Sequence, residues 1–183
     1  MLYTGKGDTG NTRIFGCDQR ISKSSIIAES LGSLDETNSL LGLCKMHARN
    51  TNIAVDGSHF TDILEDAQQK MFIVQAEVAG ADKHLDAEDI ERLEHIIDTI
   101  DSELPEIKSF FVSGGSELSA TLDYARTVAR RAERRVVEVS EEGKAKVEKL
   151  TLKYLNRLSS LLYAMARYTN FKLGIAEEKP TYE

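Results

Sequence analysis

Apolar residues recur at helical spacing along most of this chain. From Ser24, the positions Ile27, Leu31, Leu34, Asn38 and Leu41 fall on one stripe that predicts a helix to about Ala48. Residues 49–58 are polar and predict a loop. Phe60, Ile63, Ala67, Met71, Val74 and Val78 mark a second helix, followed by the loop "AGADKHLD". Asp86 is placed to cap a third, striped by Ile90, Leu93, Ile97, Ile100 and Leu104 and stopped by Pro105. After "EIKSFFVSGGS", Ser116 is a plausible N-cap. Leu118, Leu122, Ala125, Ala129, Ala132 and Val136 then make a narrow stripe. Gly143 breaks the chain. A last helix starts near Lys144 and carries Val147, Leu150, Tyr154, Leu158, Leu161, Met165 and Tyr168. Gly174 and Pro180 predict a frayed tail. Nothing reads as a strand. The expected fold is all-α: a five-helix antiparallel bundle behind an irregular glycine-rich N-terminal loop.

Composition narrows the class. A length of 183 residues fits one domain. It divides into a loop (1–23), a bundle (24–173) and a tail (174–183). Two prolines, no tryptophan and abundant Leu, Ala, Glu and Arg favour long helices. The net charge of −7 argues against nucleic acid or an anionic membrane as partner. No apolar run approaches the ~18–20 residues of a membrane span, and "MLYTGKGDTG" has no signal-peptide core. Cys17 and Cys44 read as reduced thiols of a cytoplasmic protein. His47, His59, His84 and His95 have neither a glutamate three residues before them nor zinc-type spacing, so no protein-ligated transition metal is expected.

Charge is unevenly placed. In "ARTVARRAERRVV", Ala125 to Val137, five arginines fall within ten residues of an acidic chain. Arg126, Arg130, Glu133 and Arg134 share one helix face, with Arg131 and Arg135 round the cylinder. Lysine is absent from the run, and arginine suits bidentate contact with phosphate or carboxylate. A solvated face is the plain alternative. A buried carboxylate is another candidate partner, and Asp35, beside the first helix's stripe, is expected to be buried.

The second feature is "TGKGDTGNT", Thr4 to Thr12. Glycines let backbone N–H groups converge on an anion, Lys6 adds a point charge, and hydroxyls can bond phosphate or hydrated magnesium. Asn11 stands where a Walker A lysine belongs, and no strand precedes the loop, so it is not the usual P-loop. A glycine loop and an arginine face in one chain point to a polyphosphate ligand.

Together, "YTGKGDTGNTRIFG", "GSLDETNSLLG", "FFVSGG", the arginine segment and "YLNRLSSLLYAMARY" resemble the ATP:cob(I)alamin adenosyltransferases of the PduO type, in order over residues 3–168. The resemblance implies a five-helix bundle assembled as a homotrimer, with ATP between subunits. It implies that Thr4, Gly5, Lys6, Gly7, Thr12 and Arg13, with Lys23 nearby, line the triphosphate site. Arg130, Arg131, Glu133, Arg134 and Asn156 carry over as nucleotide-binding. Arg126 carries over as the intersubunit salt-bridge partner of Asp35, and Phe110 as the aromatic residue at the lower face of the corrin. Adjacent residues of an extended loop point to opposite sides, so Phe111 is expected to face the core. Two departures stand out: Gly5 and Lys6 are exchanged relative to the family's order, and Ser160 replaces an acidic residue in its "NRLSD".

The implied reaction moves the 5′-deoxyadenosyl group of ATP onto cobalt and releases triphosphate, with Mg²⁺ accompanying the triphosphate. The nucleophile belongs to the corrinoid, so the protein needs none of its own. It must align the reactants and stabilise charge on the leaving group. The resemblance further implies that cob(II)alamin is first bound base-off and four-coordinate. A reductase that supplies electrons and a mutase that accepts the product are the partner classes. The alternatives are a non-catalytic ATP/corrinoid-binding regulatory module and an RNA-binding helical protein; the latter lacks interleaved aromatics.

Overall fold

The computed structural model describes residues 3–14 and 20–182. Gly16 and Cys17 lie outside the described residues. Five helices make the bundle: α1 (Ile26–Ala48), α2 (Phe60–Val78), α3 (Ala87–Glu103), α4 (Glu117–Glu141) and α5 (Lys149–Lys172). Helix α1 packs against α2 and α4, and α5 packs against α4 and α3. The predicted stripes meet in one core, where Leu34, Leu41, Met71, Ile100, Leu122, Ala125, Leu158 and Met165 are fully buried. Alanines at 125, 129 and 132 leave α4 a thin inward face, which lets two neighbours pack closely.

The helix starts follow side-chain chemistry. Ser25 Oγ accepts from Ala28 N–H at 3.3 Å, one residue later than the start expected at Ser24. Asp86 and Asp89 form a capping box on α3. On α4, Ser116 and Ser119 each accept the other's backbone N–H at 3.1 Å.

Four expectations are corrected. The segment before α1 is not wholly irregular, because β1 (Asn11–Arg13) pairs antiparallel with β2 (Arg20–Ser22). The loop 49–58 closes as a hairpin, β3 (Ala54–Val55) with β4 (Ser58–His59). Its turn is Asp56-Gly57 with both φ positive, at 48° and 75°, the Asp-Gly form that matches strand twist. Helix α5 starts at Lys149 rather than near Lys144. There the buried Glu77 of α2 accepts from Glu148 N–H at 2.6 Å and Thr151 Oγ1–H at 2.7 Å, capping the helix from outside its own sequence. The tail after Gly174 is docked rather than frayed. Val112 N–H donates to the Glu178 carbonyl at 2.8 Å, and the Glu177 carboxylate takes two bonds from Arg167 at 2.9 Å each.

Candidate functional site

The loop between α3 and α4 lies over the junction of α4 and α5, and a cleft of about 580 Å³ opens there. Ile107, Ser109, Phe110 and Phe111 form the loop wall. Arg126 and Arg130 face it from α4; Ser159, Ser160 and Tyr163 face it from α5. Phe110 is 80% exposed, a large apolar ring held at the mouth of a cleft. Phe111 is half-buried, with the Arg167 guanidinium 5.1 Å from its ring centroid. The two rings therefore do not divide between cleft and core as expected. Both reach the cleft wall.

The arginines are not equivalent. Arg126 Nε–H donates to Asp123 Oδ1 at 3.1 Å, and its guanidinium lies 5.7 Å from the Tyr163 ring centroid. Arg131 is paired with Glu36 of α1, and Arg135 with Glu138 at 3.0 Å and Glu29 at 3.8 Å. Arg130 and Arg134 are exposed and have no ion-pair partner among the described residues. Their charge is thus available to an anionic ligand without breaking an existing pair. Asn156 Nδ2–H donates to Glu133 Oε1 at 3.0 Å, tying α5 to the arginine face of α4. Asp35 is exposed on α1, not buried as expected, since it falls just off the inward stripe beside the buried Leu34. Within one chain it is not the partner of Arg126.

The N-terminal loop is organised by its own contacts. Gly5 and Gly10 have φ of 66° and 79°, where a side chain is strained. Arg20 donates to the Lys6 carbonyl, and to the Asn11 carbonyl at 2.9 Å. Lys23 N–H donates to the Gly10 carbonyl at 2.9 Å. A Cβ on Gly7 would meet Lys23 Nζ at 3.2 Å, so the Lys23 ammonium lies against the glycine loop at Gly7. Lys6 N–H reaches Thr4 Oγ1 at 3.4 Å, and Thr12 and Arg13 lie on β1 across from Ile21 and Arg20. The hydrogen bonds of Lys6, Gly7 and Gly10 stay within the segment 4–23. No cluster of three or more His, Cys, Asp or Glu among them is arranged to hold a metal ion.

The family model for cobalamin adenosyltransferase matches residues 2–169. The chain belongs to the cobalamin adenosyltransferase family. Corrinoid adenosyltransferase PduO of Citrobacter freundii is 39% identical over 173 residues, 91% of this chain. The chain spans 49% of that relative's length. A corrinoid adenosyltransferase of Bacillus subtilis is 37% identical over 180 residues, covering 96% of this chain and 90% of its own. A phenylalanine-to-alanine variant of the PduO-type ATP:corrinoid adenosyltransferase of Lactobacillus reuteri, solved with cobalamin and ATP, superposes with a TM-score of 0.86. It is 30% identical, with 98% of this chain and 99% of that one covered.

Within this family fold, the cleft has features that sequence reasoning missed. Tyr163 floors the cleft, and burial raises its phenol above the ordinary value, so it stays protonated. Asn156, Ser160, Tyr163 and Arg167 recur at steps of four, three and four on α5. That polar stripe within an apolar helix was the available signal. Arg20, which pins the glycine loop, gave none: its partners are backbone carbonyls. Cys44 is free and buried, and burial pushes its thiol up to about 12, which leaves it inert.

Proposed function

We propose that this chain transfers the 5′-deoxyadenosyl group of ATP to cob(I)alamin, forming adenosylcobalamin and releasing triphosphate. The observation that carries the reading is the convergence of Phe110, Arg126 and Arg130 on one cleft. An apolar ring meets there a face rich in fixed positive charge. The corrin lies over Phe110, which fills volume and offers no atom to bind cobalt. Arg130, Arg131 and Arg134, with Asn156 and Glu133 bracing them, hold the nucleotide. Cob(I)alamin attacks C5′, the C5′–O bond breaks, and the electron pair leaves with the triphosphate. Guanidinium groups and Mg²⁺ carried on the phosphates stabilise that charge.

The glycine loop completes the ATP site from an adjacent subunit of a homotrimer. That reading is supported by Gly7 and Lys23, which the loop's own contacts hold together. Asp35, exposed here, pairs with Arg126 across the same interface. The chain acts as a single domain, and its buried, reduced Cys44 suits a cytoplasmic setting where a reductase supplies electrons and a mutase accepts the product.

A non-catalytic ATP/corrinoid sensor is the second reading. It is favoured by Ser160, which lines the cleft where the resembled family has an acidic residue. Protein mixed with ATP, Mg²⁺ and chemically reduced cobalamin separates the two. Equimolar adenosylcobalamin and triphosphate support transfer; tight binding of both ligands without triphosphate release supports the sensor.

A further inference from the structure

Arg167 on α5 is only 4% exposed, and Glu177, ten residues on, is its carboxylate partner. The guanidinium also donates to the Pro105 carbonyl at 3.3 Å, where the cleft loop begins, and lies over Phe111. One turn further along α5, Asn170 Nδ2–H donates to the Gly114 carbonyl at 2.9 Å, where that loop ends. A side chain on Gly115 would strike Asn170 Oδ1 at 2.4 Å, so the loop can approach this closely only as glycine. Between these anchors, Val112 N–H is held by the Glu178 carbonyl of the tail. The segment carrying Phe110 is thus fixed at its start, middle and end, and two of the three fixings depend on the tail.

We propose that residues 175–178 form a strap that positions Phe110, with Glu177 and Arg167 as its positioning pair. Glu177 touches no reacting atom. It neutralises and orients Arg167, and Arg167 in turn holds Pro105 and Phe111, which sets where the neighbouring ring stands in the cleft. A buried guanidinium deprived of its carboxylate moves toward water, and the loop it clasps moves with it. The inference rests on the reading that Phe110 faces a corrin.

The test uses the full chain with cob(II)alamin and ATP, followed by electron paramagnetic resonance. Glu177→Gln keeps the shape of the tail but removes the charge. It lowers the four-coordinate cob(II) signal and turnover from cob(II)alamin by about tenfold, as loss of a charge-assisted pair predicts. KM for ATP and turnover of chemically pre-reduced cob(I)alamin stay within about twofold, because neither requires Phe110 to displace an axial ligand. Arg167→Lys, which keeps charge but loses the fork, falls between wild type and Glu177→Gln. A merely structural pair instead worsens all four readouts together, KM rising as the other three fall, in step with a lower melting temperature, and that result overturns the strap. A wild-type four-coordinate signal left unchanged by Glu177→Gln also overturns it. A wild-type chain without that signal overturns the corrin reading and the strap together.

Discussion

Arg126 is held by Asp123, 3.1 Å away and one turn back on the same helix, while Asp35 stands exposed on α1. Arg126 is therefore already neutralised within one chain, and Asp35 is a solvent-facing carboxylate on α1. If Arg126 exchanges partners on assembly, Asp35→Ala leaves the fold of the chain intact and weakens the trimer. Arg126→Ala does the same and also alters the cleft. The double change costs less than the sum, because either single change already removes the whole pair. Sedimentation velocity across a concentration series, run as a double-mutant cycle, measures this. Strict additivity removes the pair.

Arg130 gives a cleaner separation of function from folding. It is exposed, without an ion-pair partner among the described residues, so Arg130→Ala leaves the melting temperature nearly unchanged. Loss of a charge-assisted phosphate contact lowers kcat/KM for ATP by roughly 10- to 100-fold, corresponding to ~1.5–3 kcal/mol. Arg130→Lys recovers part of it, since lysine keeps the charge without the planar fork. An alanine variant with wild-type kcat/KM would falsify the assignment.

The helices were legible because a 3.6-residue period leaves a repeated trace, and the stripes of Met71, Leu122 and Leu158 mark one core. The arginine face was legible as well, since five guanidinium groups in an acidic chain are a local anomaly. What escaped was set by contacts between distant segments. Asp56-Gly57 is a recognised turn signal, but its flanking strands are two residues each and carry no alternation to read. The start of α5 depends on Glu77, 71 residues before the N–H group it caps. The tail looked frayed because Glu177 and Glu178 resemble any solvated acidic end; only the fold brings Arg167 and Val112 to them.

Glu77 turns that blind spot into a stability prediction. Its carboxylate is almost fully buried and takes both the Glu148 N–H and the Thr151 hydroxyl. Glu77→Gln keeps the volume but offers one acceptor and two surplus donors in a buried place. The expected loss is ~1.5–3 kcal/mol, the range for hydrogen bonds to charged groups. Glu77→Ala costs more by leaving a cavity and two orphan donors. Urea denaturation followed by circular dichroism reads both. Thr151→Val, which removes only the hydroxyl, should fall below Glu77→Gln in cost. The reverse order would show that Glu77 contributes little as a cap.

Phe110 and Phe111 are adjacent, yet their exposures assign them different work. Phe110 gains almost nothing from folding, being 80% exposed, so Phe110→Ala leaves the melting temperature and ATP binding close to wild type. What it removes is an apolar surface at the cleft mouth. Water or the corrinoid's own base then reaches the lower axial position. The four-coordinate cob(II) signal falls, and turnover from cob(II)alamin falls with it, while pre-reduced cob(I)alamin reacts more nearly as before. Phe111 is half-buried beneath Arg167 rather than sunk in the core. Phe111→Ala therefore costs about 1–3 kcal/mol, less than a fully buried ring, with part of the loss being the cation–π contact. Because Phe111 also reaches the cleft wall, its removal lowers the four-coordinate signal too, but through the loop and in company with reduced stability. Electron paramagnetic resonance beside a thermal melt distinguishes the pair. A stable Phe110→Ala protein with an intact four-coordinate signal would remove Phe110 from the lower face. A destabilised Phe110→Ala beside a stable, signal-deficient Phe111→Ala would place the lower-face ring one residue later.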